Sequence, residues 1–206
     1  MKTLYFISNN LVSNVNVIYP KTTTFNEVRE KTMLSSKGEE SAKKIGSFKN
    51  LLSAEVIYSS HYFCAMDTSK YLASAKDLDI ILDERLGERI VGELGCNEYR
   101  FLKGMQEHDF TYKLNEGESL QDVMNRMHSC IKDILNSDYE NVIIVSHNIA
   151  LLSLFIRWCN KGFNLDDRLI LDFQEEVIFD GAFHELDFIQ VDFENNKLVS
   201  IKRLNE

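Results

Sequence analysis

The sequence predicts an α/β fold: a three-layer αβα sandwich with a mostly parallel central sheet and an antiparallel hairpin at one edge. Short apolar strands alternate with amphipathic helical segments, an order that is typical of parallel sheets covered by helices. The segment Asn141 to Val145 contains four consecutive apolar residues, as expected of a strand buried on both faces. Alternating apolar residues on either side of Asn195-Asn196 predict the hairpin.

The strands and helices are assigned in chain order from apolar spacing and capping residues. Ser36 with Glu39 predicts a capping box for the helix Ser36 to Leu52. Ser119 with Asp122 predicts an N-cap for the helix Leu120 to Ile134. We expect the stretch 88–118 to form a lid-like insertion. The predicted strands are Thr3 to Ile7, Glu55 to Tyr58, Asp79 to Leu82, Asn141 to Val145, Ile189 to Phe193 and Leu198 to Arg203; the predicted helices are Ser36 to Leu52, Phe63 to Ala73, a short one around Tyr99 to Met105, Leu120 to Ile134 and Ile149 to Trp158.

Composition places the chain among globular proteins. It has 206 residues, 44% hydrophobic and 27% charged, and we expect a single domain over 1–206. Asp and Glu number 32 against 23 Lys and Arg, a net charge of −9. This balance argues against nucleic acid or an acidic membrane as a partner, because both need clustered cations. No apolar run approaches the roughly 18 residues of a membrane span, and Met1 to Ile7 becomes polar too quickly for a signal peptide.

The four cysteines are widely spaced. Cys64, Cys96, Cys130 and Cys159 form no Cys-x-x-Cys pair, so neither a zinc site nor a disulfide framework is predicted. We expect reduced thiols, a cytoplasmic location, and no metal or cofactor.

Polar turns follow three of the predicted strands. Ligands bind beyond the carboxyl ends of strands in open parallel sheets, so these turns predict one shared pocket. Asn10, Ser60, Ser146 and Asn148 are candidate ligand-binding residues within them. The turns are Ser8-Asn9-Asn10, Ser59-Ser60-His61 and Ser146-His147-Asn148, and a fourth strand leads to Glu84, Arg85 and Glu88.

Six short motifs in order make the sequence resemble the histidine phosphatase superfamily, the group that includes cofactor-dependent phosphoglycerate mutase. The resemblance covers nearly the whole chain, and the order of the motifs is more specific than any one of them. The motifs are Leu4 to Ile7, Leu34-Ser35-Ser36-Lys37-Gly38, Val56 to Ser60 with Thr68 after it, Leu86-Gly87-Glu88, Gly117-Glu118-Ser119 and Val145-Ser146-His147.

The resemblance implies phosphoryl transfer through a phosphohistidine, but several key positions differ. It places Glu88 at the family's general acid and His147 at its second histidine. Ser8, Asn9 and Asn10 stand where the family has Arg-His-Gly, and Cys64 stands where it has its second phosphate-binding arginine. An asparagine amide cannot carry a phosphoryl group, and loss of a nucleophile can cost on the order of 10⁶ in rate. A phosphate would meet Glu88 with at most His147 as a cation.

The favoured hypothesis is therefore a pseudo-phosphatase that binds a small molecule, phosphorylated or not, or acts in regulation. Two alternatives stay open. One is a weak phosphatase or other hydrolase that uses His147 and Glu88 as acid and base, or His61 as a substitute nucleophile. The other is a protein-interaction module whose pocket is filled by side chains. The sequence leaves open whether the loop from Tyr19 to Met33 covers the pocket, and it leaves the oligomeric state open.

Overall fold

A computed structural model describes residues 1–9, 11–92 and 98–204. Nine strands and six α-helices are defined in these residues. The strands are β1 (Lys2–Asn9), β2 (Val56–Ser59), β3 (Ile80–Leu82), β4 (Asn141–Ser146), β5 (Asn160–Phe163), β6 (Leu169–Phe173), β7 (Glu176–Phe179), β8 (Leu186–Glu194) and β9 (Lys197–Arg203). The helices are α1 (Phe25–Glu30), α2 (Ser36–Gly46), α3 (Phe63–Lys76), α4 (Glu98–His108), α5 (Leu120–Leu135) and α6 (Asn148–Ile156), with 3₁₀ turns at Lys49–Leu51 and Glu84–Leu86.

The main sheet has the strand order β3-β2-β4-β1-β8-β9. The first four strands are parallel, and β8 and β9 add antiparallel pairs at one edge. Asn195 and Asn196 join β8 to β9 with φ angles of 50° and 60°, the left-handed pair that a tight hairpin turn requires. The predicted fold class and edge hairpin are confirmed.

Alternation along the central strands builds the three layers. In β4, Val142 and Ile144 belong to the cluster that packs on α5 and α6. Ile143 and Val145 belong to the opposite cluster, with Ile45 of α2 and residues of α3. A strand directs successive side chains to opposite faces, so a continuous apolar run is needed here. The prediction of a strand covered on both faces is therefore confirmed.

The predicted start of α2 at Ser36 is confirmed, but its predicted cap and its predicted end were wrong. Its N-cap is Ser35, whose Oγ accepts a hydrogen bond from Gly38 N at 3.1 Å, so the predicted capping box of Ser36 with Glu39 does not form. Ser35 Oγ also donates to Leu11 O at 2.8 Å, and this contact with the segment after β1 fixes the cap one residue earlier. The helix ends at Gly46, and the apolar spacing that predicted an end at Leu52 continues through a 3₁₀ turn. By contrast, Ser119 and Asp122 form the capping box of α5.

A second, three-stranded antiparallel sheet, β5-β6-β7, has no counterpart in the sequence-based assignment. Its strands are four or five residues long and lack clear alternation, which hides them from pattern analysis. Leu169, Leu171, Ile178 and Phe179 join the core cluster of α5 and α6. The lid-like insertion predicted over 88–118 contains α4, but residues 93–97 lie outside the described part, and so does Cys96; the insertion stays a prediction.

Candidate functional site

The carboxyl ends of the parallel strands bring the predicted polar turns together. Ser8 of β1 lies opposite Ser146 of β4 in the register, so the residues that follow them, Asn9 and His147, emerge at the same edge. A cavity of about 200 Å³ opens there. The described residues that line it are Asn9, Val12, Arg29, Thr32, Tyr62, Cys64, Glu88 and His147.

Asn9 is held by backbone groups on both sides of its amide. Its Nδ2 donates to Gly38 O at 2.9 Å, and its Oδ1 accepts from Leu11 N at 3.2 Å. Gly38 is required at this position, because a Cβ there would lie 2.3 Å from Leu11 O. The residue is 7% exposed. Asn9 therefore acts as a fixed part of the cavity wall.

His147 is the N-cap residue of α6 and is buried. Its Nε2 lies 2.8 Å from Ser60 Oγ, and its ring centre lies 4.7 Å from that of Tyr62. Burial lowers the pKa of His147 to about 4, so the imidazole is neutral at pH 7. Desolvation here outweighs the neighbouring Glu88 carboxylate, which acts in the opposite direction and favours the charged ring.

Glu88 caps helix α6 from a distant part of the chain. Its Oε1 accepts hydrogen bonds from the backbone N–H groups of Arg89 at 2.7 Å and Ala150 at 3.1 Å, and its Oε2 accepts from Ile149 N at 3.3 Å. Burial raises the pKa of Glu88, but the charge of Arg29, the neighbouring His147 and the hydrogen bond from Arg89 N together outweigh it and hold the pKa below its usual value. An ionised carboxylate at a helix N-terminus is favourable, so Glu88 has a structural task that requires no chemistry.

The backbone of Glu88 is positioned by Arg126. The Arg126 guanidinium donates to the carbonyl oxygens of Arg85, Gly87 and Glu88 at 2.7 to 3.2 Å. It also forms a two-pronged ion pair with Glu118, at 2.7 and 2.8 Å. This explains the Gly-Glu-Ser motif in structural terms: its glutamate fixes the arginine that fixes the segment carrying Glu88.

Arg29 is the functional candidate that sequence reasoning missed. It projects from α1, which lies within the loop from Tyr19 to Met33, so this loop does contact the pocket. Arg29 Nη1 donates to Arg89 O at 2.9 Å, and Nη2 lies 3.6 Å from Glu88 Oε2. No family motif marks this residue. The loop holds three basic residues, Lys21, Arg29 and Lys31, and nothing in the sequence singles out Arg29 among them.

Cys64 lines the cavity as a neutral thiol. Burial raises its pKa to about 11, although it lies in the first turn of α3, where a helix N-terminus would lower the pKa of an exposed thiol. Burial likewise raises the pKa of Tyr62 to about 12. Neither group ionises near pH 7.

Several predicted ligand-binding residues bond elsewhere. Ser8 Oγ donates to Asn148 Oδ1 at 2.7 Å, and Ser146 Oγ donates to Leu86 O at 2.8 Å; among the described residues, none of these three predicted side chains lines the cavity. Ser60 Oγ lies 2.8 Å from His147 Nε2, and Ser60 is not among the residues that line the cavity. Asn10 lies outside the described residues.

A second cavity of about 410 Å³ adjoins the first and shares Tyr62 and Glu88 with it. It is rimmed by carboxylates, and His61 Nε2 lies 3.0 Å from Glu30 Oε1 on its edge. Within the described ranges, no cluster of three or more acidic, histidine or cysteine side chains is arranged to hold a metal ion. The further carboxylates of this rim are Glu27, Glu84 and Glu118.

The fold and the strand-end pocket define an α/β protein of the histidine phosphatase type. Residues 22–179 match the profile of the "Histidine phosphatase superfamily (branch 1)", and the chain belongs to this family. Among curated proteins it is similar to the "Probable phosphoglycerate mutase GpmB" of Escherichia fergusonii, 29% identical over 130 residues, and to that of Enterobacter sp. strain 638, 28% identical. Each match spans 57% of this chain and 59% of the relative, less than two thirds of the relatives' length.

Solved structures share the fold at low identity. A mycobacterial glucosyl-3-phosphoglycerate phosphatase with inorganic phosphate superposes with a TM-score of 0.69 at 15% identity, covering 100% of this chain and 96% of that one. The α-ribazole phosphatase of Shigella flexneri gives 0.67 at 19% identity, covering 99% and 96%. Within the described residues, no helix combines the length and apolar character needed to span a bilayer.

Proposed function

We propose that this protein is a member of the histidine phosphatase superfamily that binds a small molecule at the strand-end cavity and lacks phosphohistidine chemistry. The observation that carries the proposal is Asn9. It stands where the motif order places the family's nucleophile, and both ends of its amide are bonded to backbone groups. A carboxamide nitrogen is not a nucleophile, and the two backbone contacts hold the amide in place in the cavity wall.

The residues at the two phosphate-binding positions also support the proposal that phosphohistidine chemistry is lost. Charge-assisted arginine pairs are the strong ligands for phosphate, and the motif order assigns two such positions to Ser8 and Cys64. Cys64 is neutral because burial raises its pKa to about 11. Arg29 supplies one positive charge from a different element, but it faces the ionised Glu88.

The alternative of a hydrolase that uses Glu88 and His147 is less well supported. A general acid or base needs a pKa near the working pH. Glu88 has a lowered pKa, and both of its oxygens accept backbone hydrogen bonds. His147 has a pKa of about 4. His61 is no better as a nucleophile, because Nε2 pairs with Glu30 and Nδ1 is buried, with no hydrogen-bond partner among the described residues.

A pure interaction module is also less well supported. It predicts a strand-end pocket filled by side chains, whereas about 200 Å³ stay open between Asn9, Cys64 and His147. A cavity of this size, with a few convergent polar groups, suits a small ligand.

Restoring the family residues tests the proposal. We expect the wild-type chain to hydrolyse p-nitrophenyl phosphate at background rate. The variant Ser8→Arg/Asn9→His/Cys64→Arg should gain turnover and a phosphohistidine detectable by mass spectrometry. Because Ser8 is 1% exposed, an arginine there can perturb folding, so Asn9→His/Cys64→Arg, which changes cavity-lining residues alone, is measured in parallel.

The matched control carries Asn9→Gln in place of Asn9→His, which keeps the added arginine without the imidazole and should stay inactive. Efficient turnover by the wild-type chain contradicts the proposal. Folded restored variants without turnover or phosphohistidine would show that Asn9 does not occupy the nucleophile position.

A further inference from the structure

Arg29 has unused hydrogen-bonding capacity that faces the cavity. A guanidinium carries five N–H donors. Within the described residues, Nη1 donates to Arg89 O at 2.9 Å, while Nη2 lies 3.6 Å from Glu88 Oε2, beyond hydrogen-bond distance. The remaining contact is a cation–π approach of 5.8 Å to the Phe25 ring. With its side chain 21% exposed, this arginine has both the donors and the access to bind an oxygen ligand.

We propose that the cavity binds a singly charged oxyanion, a carboxylate or sulfonate group of a small molecule, through the Arg29 guanidinium. The inference rests on the proposed function and names the ligand class of that same site. A guanidinium offers paired donors that match two oxygens of one anionic group.

The limit to one negative charge follows from Glu88. Among the described lining residues, Arg29 carries the one permanent positive charge, and the Glu88 carboxylate beside it is negative. His147 adds no charge at pH 7 because burial lowers its pKa to about 4. A monoanion leaves one net negative charge among these groups, whereas a phosphate dianion leaves two in a partly buried space, where repulsion is strong.

Arg29 can turn from Glu88 to a ligand without leaving the carboxylate unsatisfied. Glu88 keeps its three hydrogen bonds from the backbone N–H groups of Arg89, Ile149 and Ala150. The element that carries Arg29 is also weakly attached: α1 contains no buried residue. Two polar contacts join it to this region: Glu30 pairs with His61, and Asn26 Oδ1 accepts a hydrogen bond from Val91 N at 3.2 Å.

Binding of three small anions to the ¹⁵N-labelled full chain tests whether the cavity prefers ligands with one negative charge. Acetate and methanesulfonate carry one charge, and sulfate is a tetrahedral dianion close in size to methanesulfonate. At pH 7.5 and constant ionic strength, we expect acetate and methanesulfonate to shift the Arg29 Nε–H resonance saturably, with sulfate binding at least tenfold more weakly. Sulfate binding more tightly than methanesulfonate overturns the proposal.

Variants test the role of Arg29 itself. Arg29→Gln should weaken acetate binding at least tenfold, followed through the amide resonances of α1 and of Cys64, and Arg29→Lys should restore part of it. Arg168→Gln removes an exposed arginine outside this cavity and should leave binding unchanged. Unchanged acetate binding in Arg29→Gln overturns the proposal. This failure is distinct from that of the proposed function, which phosphatase turnover by the wild-type chain would contradict.

Discussion

The two walls of the strand-end cavity are attached to the molecule in different ways. The inner wall, Asn9, Glu88 and His147, is buried and hydrogen-bonded to backbone or to buried side chains. The outer wall is α1, which places Arg29 against the cavity; this helix contains no buried residue and makes polar contacts through Arg29 and Glu30. The inner wall is thus part of the folded core, so the presence of Glu88 and His147 does not by itself indicate catalysis.

The largest expected effect comes from removing the charge of the inner wall. Glu88→Gln keeps the shape of the side chain but replaces one acceptor oxygen with an amide, beside N–H groups of α6 that need acceptors. We expect a loss of about 2–4 kcal/mol in the free energy of unfolding, measured by urea denaturation at pH 7. Glu84→Gln, an exposed glutamate in the same segment, should change it by less than about 0.5 kcal/mol. Equal effects would mean that Glu88 is not a structural cap.

The next effect is a pH dependence of stability that originates in His147. Its pKa falls from 6.5 to about 4 on folding, so between these values the unfolded chain binds more protons. Stability contributed by the neutral imidazole is therefore complete above pH 6.5 and declines as the pH falls toward 4, by at most about 3 kcal/mol. Glu88, whose pKa is also lowered, loses its contribution in the same direction at lower pH.

Urea denaturation at pH 7 and pH 5 measures this decline, and His147→Gln should reduce it. The matched control is His108→Gln, which changes an exposed histidine outside this cavity, and the decline should be larger in this variant than in His147→Gln. If the free energy of unfolding of His147→Gln falls as much between pH 7 and pH 5 as that of the wild type, the pH dependence originates in other groups.

The sequence predicted the inner wall well because regular elements build it. Strand ends in a parallel sheet converge, so motifs that end strands identify Asn9 and His147 together. The sequence could not predict the cap formed by Glu88, because the N–H groups it satisfies belong to a helix about 60 residues further along the chain. Ser146 and Asn148 were predicted as ligand contacts from position alone, but their side chains bond inward, to Leu86 O and Ser8.

The outer wall escaped prediction because it lacks a repeating pattern. The helix α1 has six residues, too few for an apolar stripe, and its capping pair of Thr24 and Glu27 gives no indication of where the helix docks. The strands β5 to β7 escaped for a similar reason: they are short and packed against helices by scattered apolar residues. A charge such as Arg29, placed by tertiary contacts alone, is visible only in three dimensions.

The smallest effect is expected at the outer wall and tests whether it moves independently of the core. Glu30→Gln weakens the pair that Glu30 forms with His61. The Glu30 side chain is 40% exposed and that of His61 33%, so the free energy of unfolding should change by less than about 1 kcal/mol. Amide hydrogen exchange in α1 should nevertheless become faster while exchange in α5 stays the same, because α1 has no buried residue to hold it once a polar contact is lost. Glu185→Gln removes an exposed partner of Lys37 and should alter neither. If exchange accelerates equally in α1 and α5, the two walls unfold as one unit and the contrast between them fails.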